Sequence, residues 1–133
     1  MKKTIAVAAL ALALPLAALA QTDKTTPSGL GYRVLKEGTG PSPQATDTVR
    51  VHYKGMFMDG KEFDSSYSRG QPTEFPLNRV IKCWTEGVGL MKVGGKAKLT
   101  CPPAIAYGER GAGGVIPPNA TLQFEVELLG IVK

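Results

Sequence analysis

The chain has 133 residues and a formal charge of +5, with 16 Lys and Arg against 11 Asp and Glu. That length suits one domain, and the excess charge is scattered, not gathered into the basic stripe with interleaved aromatics that nucleic acid requires. One His and two Cys at no metal-ligand spacing argue against a zinc site built by the protein.

Lys2 and Lys3 precede an uncharged run, residues 4–20, that ends in Ala18-Leu19-Ala20. A positive start, an apolar core and small residues at the end predict a secretory signal peptide, cut between Ala20 and Gln21. A membrane anchor is the rival reading, although the run sits at the short limit for a span. Cleavage would lower the charge by two and send residues 21–133 to the periplasm or beyond. No stable membrane association is then expected. Residues 21–30, polar with Pro27 and Gly29, read as a flexible arm. The domain itself is expected over residues 31–133.

A strand is predicted over residues 32–36, and Pro41 and Pro43 mark the loop that follows. From Thr48 to Met58 the pattern alternates. Val49, Val51, Tyr53 and Phe57 share one face, while Arg50, His52 and Lys54 share the other, with His52 expected in solvent. Asp59-Gly60 signals a hairpin, whose return strand carries Phe63 inward. Ile81, Trp84, Val88 and Met91 fall at helical spacing, with Gly94-Gly95 as the expected stop. Gly87 and Gly89 weaken this helix by roughly 1 kcal/mol each relative to Ala, so it needs a sheet to pack on. Further alternations over residues 96–101 and 122–128 predict two more strands. Residues 102–120 form a long Pro- and Gly-rich loop that also holds Ile105, Tyr107, Val115 and Ile116; such a mixture suits an ordered lid over a site. The fold class is α+β, an antiparallel sheet curled around one short helix.

Cys83 lies where that helix begins, and Cys101 lies on the inward face of its strand. A bridge between them is geometrically plausible and suits an oxidising compartment. Free buried thiols are the alternative.

No Gly-x-Ser-x-Gly elbow and no phosphate-binding loop is present. The chemistry must come from aromatic and aliphatic residues beside a few polar ones. The segments VHYKG (51–55), DGKEFDSS (59–66), VIKCWTEG (80–87), MKVGGKAKLT (91–100), AYGERG (106–111) and VIPPNATLQFEVELL (115–129) occur in this order. Together they resemble the FKBP-type peptidyl-prolyl isomerases, from about residue 31 to the C-terminus.

The resemblance implies a five- to six-stranded antiparallel half-barrel around a short helix. It also implies rotation of X–Pro bonds without metal, cofactor or covalent step. Asp64, Tyr107, Tyr53 and Phe124 would stand nearest the reaction. Trp84 would be the floor of a proline pocket, with Phe63, Val80, Ile81, Arg69, Phe75, Val115 and Ile116 completing the substrate contacts. Tyr107 and the Ile81 N–H would hold substrate carbonyls. Expected partners are proline-containing exported proteins and rapamycin-like macrolides, with the protein acting as a monomer. The alternative is a chaperone module that grips proline segments with little turnover. Three departures bear on substrate preference and macrolide affinity. Thr73 stands where the family often has an aromatic, Ala112 occupies the loop tip, and the stretch between Phe75 and Val80 is one residue short.

Overall fold

The computed structural model describes residues 23–132. The expected signal segment and its cleavage point lie outside the described residues. The strands are β1 (Lys24–Thr25), β2 (Gly31–Lys36), β3 (Thr48–Phe57), β4 (Glu62–Ser65), β5 (Thr73–Pro76), β6 (Lys96–Cys101) and β7 (Leu122–Val132). Two helices interrupt them, α1 (Ser66–Arg69) and α2 (Lys82–Leu90), with short 3-10 turns at Leu77–Arg79 and Pro103–Ile105.

All pairings are antiparallel, and the sheet runs β1-β2-β6-β7-β3-β4, with β5 also paired to β3. β4 and β5 therefore share one edge of β3: β4 pairs with its end near Gly55 and β5 with its start near Val49. The alternation seen in the sequence is obeyed. Val49, Val51 and Tyr53 are buried with Ala97, Leu99, Cys101, Leu122, Phe124, Val126 and Leu128. One face is thus apolar and covered, and the other carries charge, as expected of an antiparallel sheet.

Helix α2 covers that apolar face, burying Cys83, Trp84 and Val88. It comes very close at Gly87. A Cβ there would stand 2.7 Å from Leu99 Cδ2 and 2.8 Å from Cδ1. The glycine that weakens the isolated helix is therefore what lets it seat on β6. Cys83 is bonded to Cys101, with Cα atoms 5.8 Å apart and a sequence separation of 18. The bridge ties the first turn of α2 to the end of β6.

Four sequence expectations are corrected. The arm over residues 21–30 is paired where it is described. Lys24 and Thr25 add a strand to β2, Leu30 is fully buried, and Ser28 donates to the Glu86 carboxylate on α2. The apolar Leu30 supplies the reason, because burying it draws the preceding residues onto the sheet. Helix α2 ends at Leu90, ahead of Gly94-Gly95. Gly94, at φ +93°, instead makes the turn into β6 and donates its N–H to the Leu128 carbonyl. His52 is not a free solvent residue. Its ring stacks on Tyr67 at 4.5 Å, and its Nδ1 lies 2.8 Å from Ser66 Oγ. Helix α1 has no apolar period to announce it; it forms where the Ser65 hydroxyl accepts the Ser68 N–H and Gly70 closes it at φ +79°. The fourth correction concerns the 102–120 loop and its place beside the site.

Candidate functional site

A cleft of about 360 Å3 opens between α2, the edge of β3 and the Tyr107 loop. Trp84 projects from α2 into its base and is 4% exposed. Three rings meet the indole edge-on: Tyr53 at 5.2 Å, Phe75 at 5.4 Å and Phe124 at 5.5 Å. Edge-to-face pairs of this kind are favourable beyond their buried area. They also fix the indole plane, so the cleft has a rigid floor. The indole Nε1 is buried without a hydrogen-bond partner among the described residues.

The walls follow from strand register. Gly55 stands opposite Phe124 on β7 and Asp64 on β4. A Cβ on Gly55 would lie 2.7 Å from Phe63 Cζ and 3.0 Å from Phe124 Cε1. Only a residue without a side chain lets those rings close over the strand and meet each other at 5.8 Å. Val80 and Ile81 line the opposite side. They are held there because the Thr85 hydroxyl donates to the Leu77 carbonyl at 2.7 Å and the Leu77 N–H donates to the Asp47 carbonyl at 2.9 Å. The Ile81 N–H, at the start of α2, has no acceptor among the described residues.

Three polar side chains at the cleft, Tyr53, Asp64 and Arg69, satisfy one another. Tyr53 Oη donates to Asp64 Oδ2 at 2.5 Å, and Arg69 Nη1 donates to Asp64 Oδ1 at 2.6 Å. Arg69 Nη2 donates to Tyr53 Oη at 3.1 Å and to Thr73 Oγ1 at 3.4 Å. The guanidinium lies 5.7 Å from the Tyr53 ring centroid. Partial burial pushes the Asp64 pKa up, but the hydrogen bonds from Tyr53 and Arg69 and the Arg69 charge outweigh it. Its carboxyl is held below the usual carboxylate range. Asp64 is thus an ionised, paired group, poorly suited to taking a proton. Burial, and then the nearby Asp64 charge, raise the Tyr107 phenol, which stays a neutral donor. Its hydroxyl has no protein partner among the described residues.

Behind Tyr53, the Ser66 hydroxyl accepts the Tyr53 N–H at 2.7 Å and faces the Tyr53 carbonyl at 3.3 Å. Ser66 is fully buried and opens α1, which carries Arg69. One serine therefore sets β3 and α1 in the register that brings Arg69 to Asp64.

Of the residues expected from sequence, Tyr53, Phe63, Asp64, Phe75, Val80, Ile81, Trp84, Tyr107 and Phe124 line this cleft. Arg69 acts on it from behind through Asp64. Val115 and Ile116 do not line it. Gly113 and Gly114, at φ +40° and +75°, fold the loop back so that Ala112 pairs with Ile116. That turn puts Ile116 into the core and leaves Val115 55% exposed over a separate hollow with Phe57 and Arg110. Arg79 does line the cleft and was missed. Its position just ahead of Val80-Ile81 was the available signal.

A family model described as FKBP-type peptidyl-prolyl cis-trans isomerase matches residues 40–129. The chain belongs to this family. Among curated relatives of the FKBP-type domain, the isomerase FkpA of Aeromonas hydrophila is 60% identical over 110 residues, covering 83% of this chain and 41% of its own length. The FKBP-type 22 kDa isomerase of Escherichia coli is 57% identical over 108 residues, covering 81% of this chain and 52% of its own length. The chain thus spans about half the length of these relatives. The crystal structure of FkpA from Escherichia coli superimposes with a TM-score of 0.80 at 47% identity, covering 98% of this chain and 62% of that one. AtFKBP13 gives 0.76 at 38% identity, covering 84% of this chain and 99% of that one. The FKBP-type fold expected from the ordered motifs is therefore the fold observed.

Proposed function

We propose that this chain catalyses cis–trans rotation about X–Pro bonds in other proteins. The observation that carries the reading is a ring-walled cleft on a braced Trp84 floor, whose one carboxylate is already matched by Arg69.

An X–Pro bond resists rotation by about 18–20 kcal/mol because the amide is conjugated, while its isomers differ by about 0.5–1 kcal/mol. The catalyst therefore needs to lower a barrier, not supply a driving force. Twisting the bond breaks conjugation and reduces the charge separation of the planar amide. An apolar cleft disfavours the planar form more than the twisted form, which is differential binding of the transition state. A rate gain of about 10⁴ corresponds to about 5.5 kcal/mol.

The proline ring sits on Trp84, enclosed by Tyr53, Phe63, Phe75, Val80 and Phe124. The Tyr107 hydroxyl and the Ile81 N–H, both without acceptors among the described residues, orient two substrate carbonyls. Asp64 contributes a fixed negative charge beside the twisting bond, held in place by Tyr53 and Arg69. The Cys83–Cys101 bridge supports an oxidising compartment, such as the periplasm, and hence exported proteins as substrates. The same apolar cleft suits rapamycin-like macrolides, and the chain works as a monomer.

The test is cis–trans exchange of a short X–Pro peptide followed by NMR, with the wild type and with Tyr107→Phe and Asp64→Val. Acceleration that both substitutions weaken is expected. Peptide binding without acceleration by the wild type would replace catalysis with the chaperone reading.

A further inference from the structure

Two cations face the cleft region, and they differ in one respect. Arg69 is matched, because its guanidinium is committed to Asp64, Tyr53 and Thr73. Arg79 lines the cleft directly, and its guanidinium has neither an ion pair nor a hydrogen bond among the described residues. The charges therefore do not balance: the one lining carboxylate is already neutralised, and a positive charge is left over.

The backbone that carries Arg79 is well fixed. It ends the 3-10 turn Leu77–Arg79, whose Leu77 is fully buried and anchored by the Thr85 hydroxyl on α2. Val80 and Ile81, which follow at once, are themselves cleft wall. The Arg79 side chain is exposed, so it is hydrated at the rim and free to meet an incoming anion.

The scale of the cleft limits what that anion can be. Arg79 and Trp84 line one cleft of about 360 Å3, and an extended chain advances about 3.3–3.6 Å per residue. With proline on Trp84, Arg79 meets the side chain of a residue directly flanking the proline. We infer that Arg79 is a specificity-determining residue that favours substrates carrying Asp or Glu next to the isomerising proline. This inference rests on the isomerase reading and deepens it. Exposed ion pairs are weak, so the preference should be a small multiple, damped by salt.

The experiment compares acetylated, amidated peptides that differ only in having Glu or Gln beside proline, in one series before it and in another after it. The readout is the Glu/Gln ratio of kcat/KM, in which any general change in turnover cancels. For the wild type, a ratio of about three at low ionic strength is expected in at least one series. It should fall to about one in Arg79→Gln, drop below one in Arg79→Glu, and shrink as salt is added. Lys98→Gln, which removes the same charge from the outer face of β6, should keep the wild-type ratio. A wild-type ratio near one in both series, or a ratio that survives Arg79→Gln, overturns the proposal. If no peptide is accelerated at all, the isomerase reading has failed. The same peptides titrated by NMR then decide Arg79 separately: a Glu preference in Kd that Arg79→Gln abolishes supports the site, and equal binding overturns it.

Discussion

Removing the Cys83–Cys101 bridge tests how α2 is held to its sheet. Both sulfurs are fully buried and close a loop of 18 residues. In the chain-entropy description, a loop of that length removes about 3 kcal/mol of freedom from the unfolded state. A domain with about 110 ordered residues should then melt about 10–15 °C lower without the bridge. The assay is calorimetric melting of three forms: oxidised wild type, wild type reduced in denaturant and refolded under reductant, and Cys83→Ala/Cys101→Ala. Burial also predicts that reductant acts slowly on the native protein, because the sulfurs are reached only after opening. The reduced form and the double variant should shift together, with the variant somewhat lower because it also loses packed sulfur. A shift below about 3 °C in both would refute the reasoning, since the bridge would then add nothing that packing of Trp84 and Val88 does not already provide.

Two glycines on α2 should respond oppositely to the same substitution. Gly89→Ala, with open space around the new Cβ, should stabilise by about 0.5–1 kcal/mol. Gly87→Ala should be about 1–3 kcal/mol less stable than Gly89→Ala, because its Cβ meets buried Leu99; equal urea midpoints would refute the close approach. Tyr107→Phe should lower kcat/KM about two- to tenfold, the worth of one hydrogen bond, with little change in melting. The depressed Asp64 pKa means that its pairing stabilises the fold above the ordinary carboxylate range and is lost as pH falls below about 4. Acid denaturation of Asp64→Asn should lack that part of the slope. Tyr67 is pushed up to about 12 by burial and its hydrogen bond to Glu127. A raised pKa gives stability that is present below pH ~10 and lost as pH rises toward ~12; Tyr32, Tyr53 and Tyr107 are raised as well, and Tyr67→Phe should remove the part of the ultraviolet titration nearest pH ~12.

Much of the fold was legible because strands with one covered face must alternate. Val49-Val51-Tyr53, Ala97-Leu99-Cys101 and Leu122-Phe124-Val126-Leu128 announced three strands and their inward sides. The helix was visible from Ile81, Trp84 and Val88, but its end was not, because Gly94 was needed for a turn four residues beyond Leu90. The aromatic lining of the cleft came from ordered motifs, and its members do meet. Val115 and Ile116 fall outside the cleft lining because the backbone reversal at Gly113-Gly114, not composition, decides which way a loop residue points.

The sequence by itself determined the α+β class, the family, the apolar face and the identity of most cleft residues, because periodicity and motif order are properties of the linear chain. The tertiary structure decided which charges are matched. Asp64, Arg69 and Tyr53 become one unit only when Ser66 fixes β3 against α1. Arg79 is left over because the one carboxylate lining the cleft, Asp64, is already paired with Arg69. Neither fact has a signature along the chain, since electrostatic pairing depends on distances of a few ångströms between residues far apart in sequence.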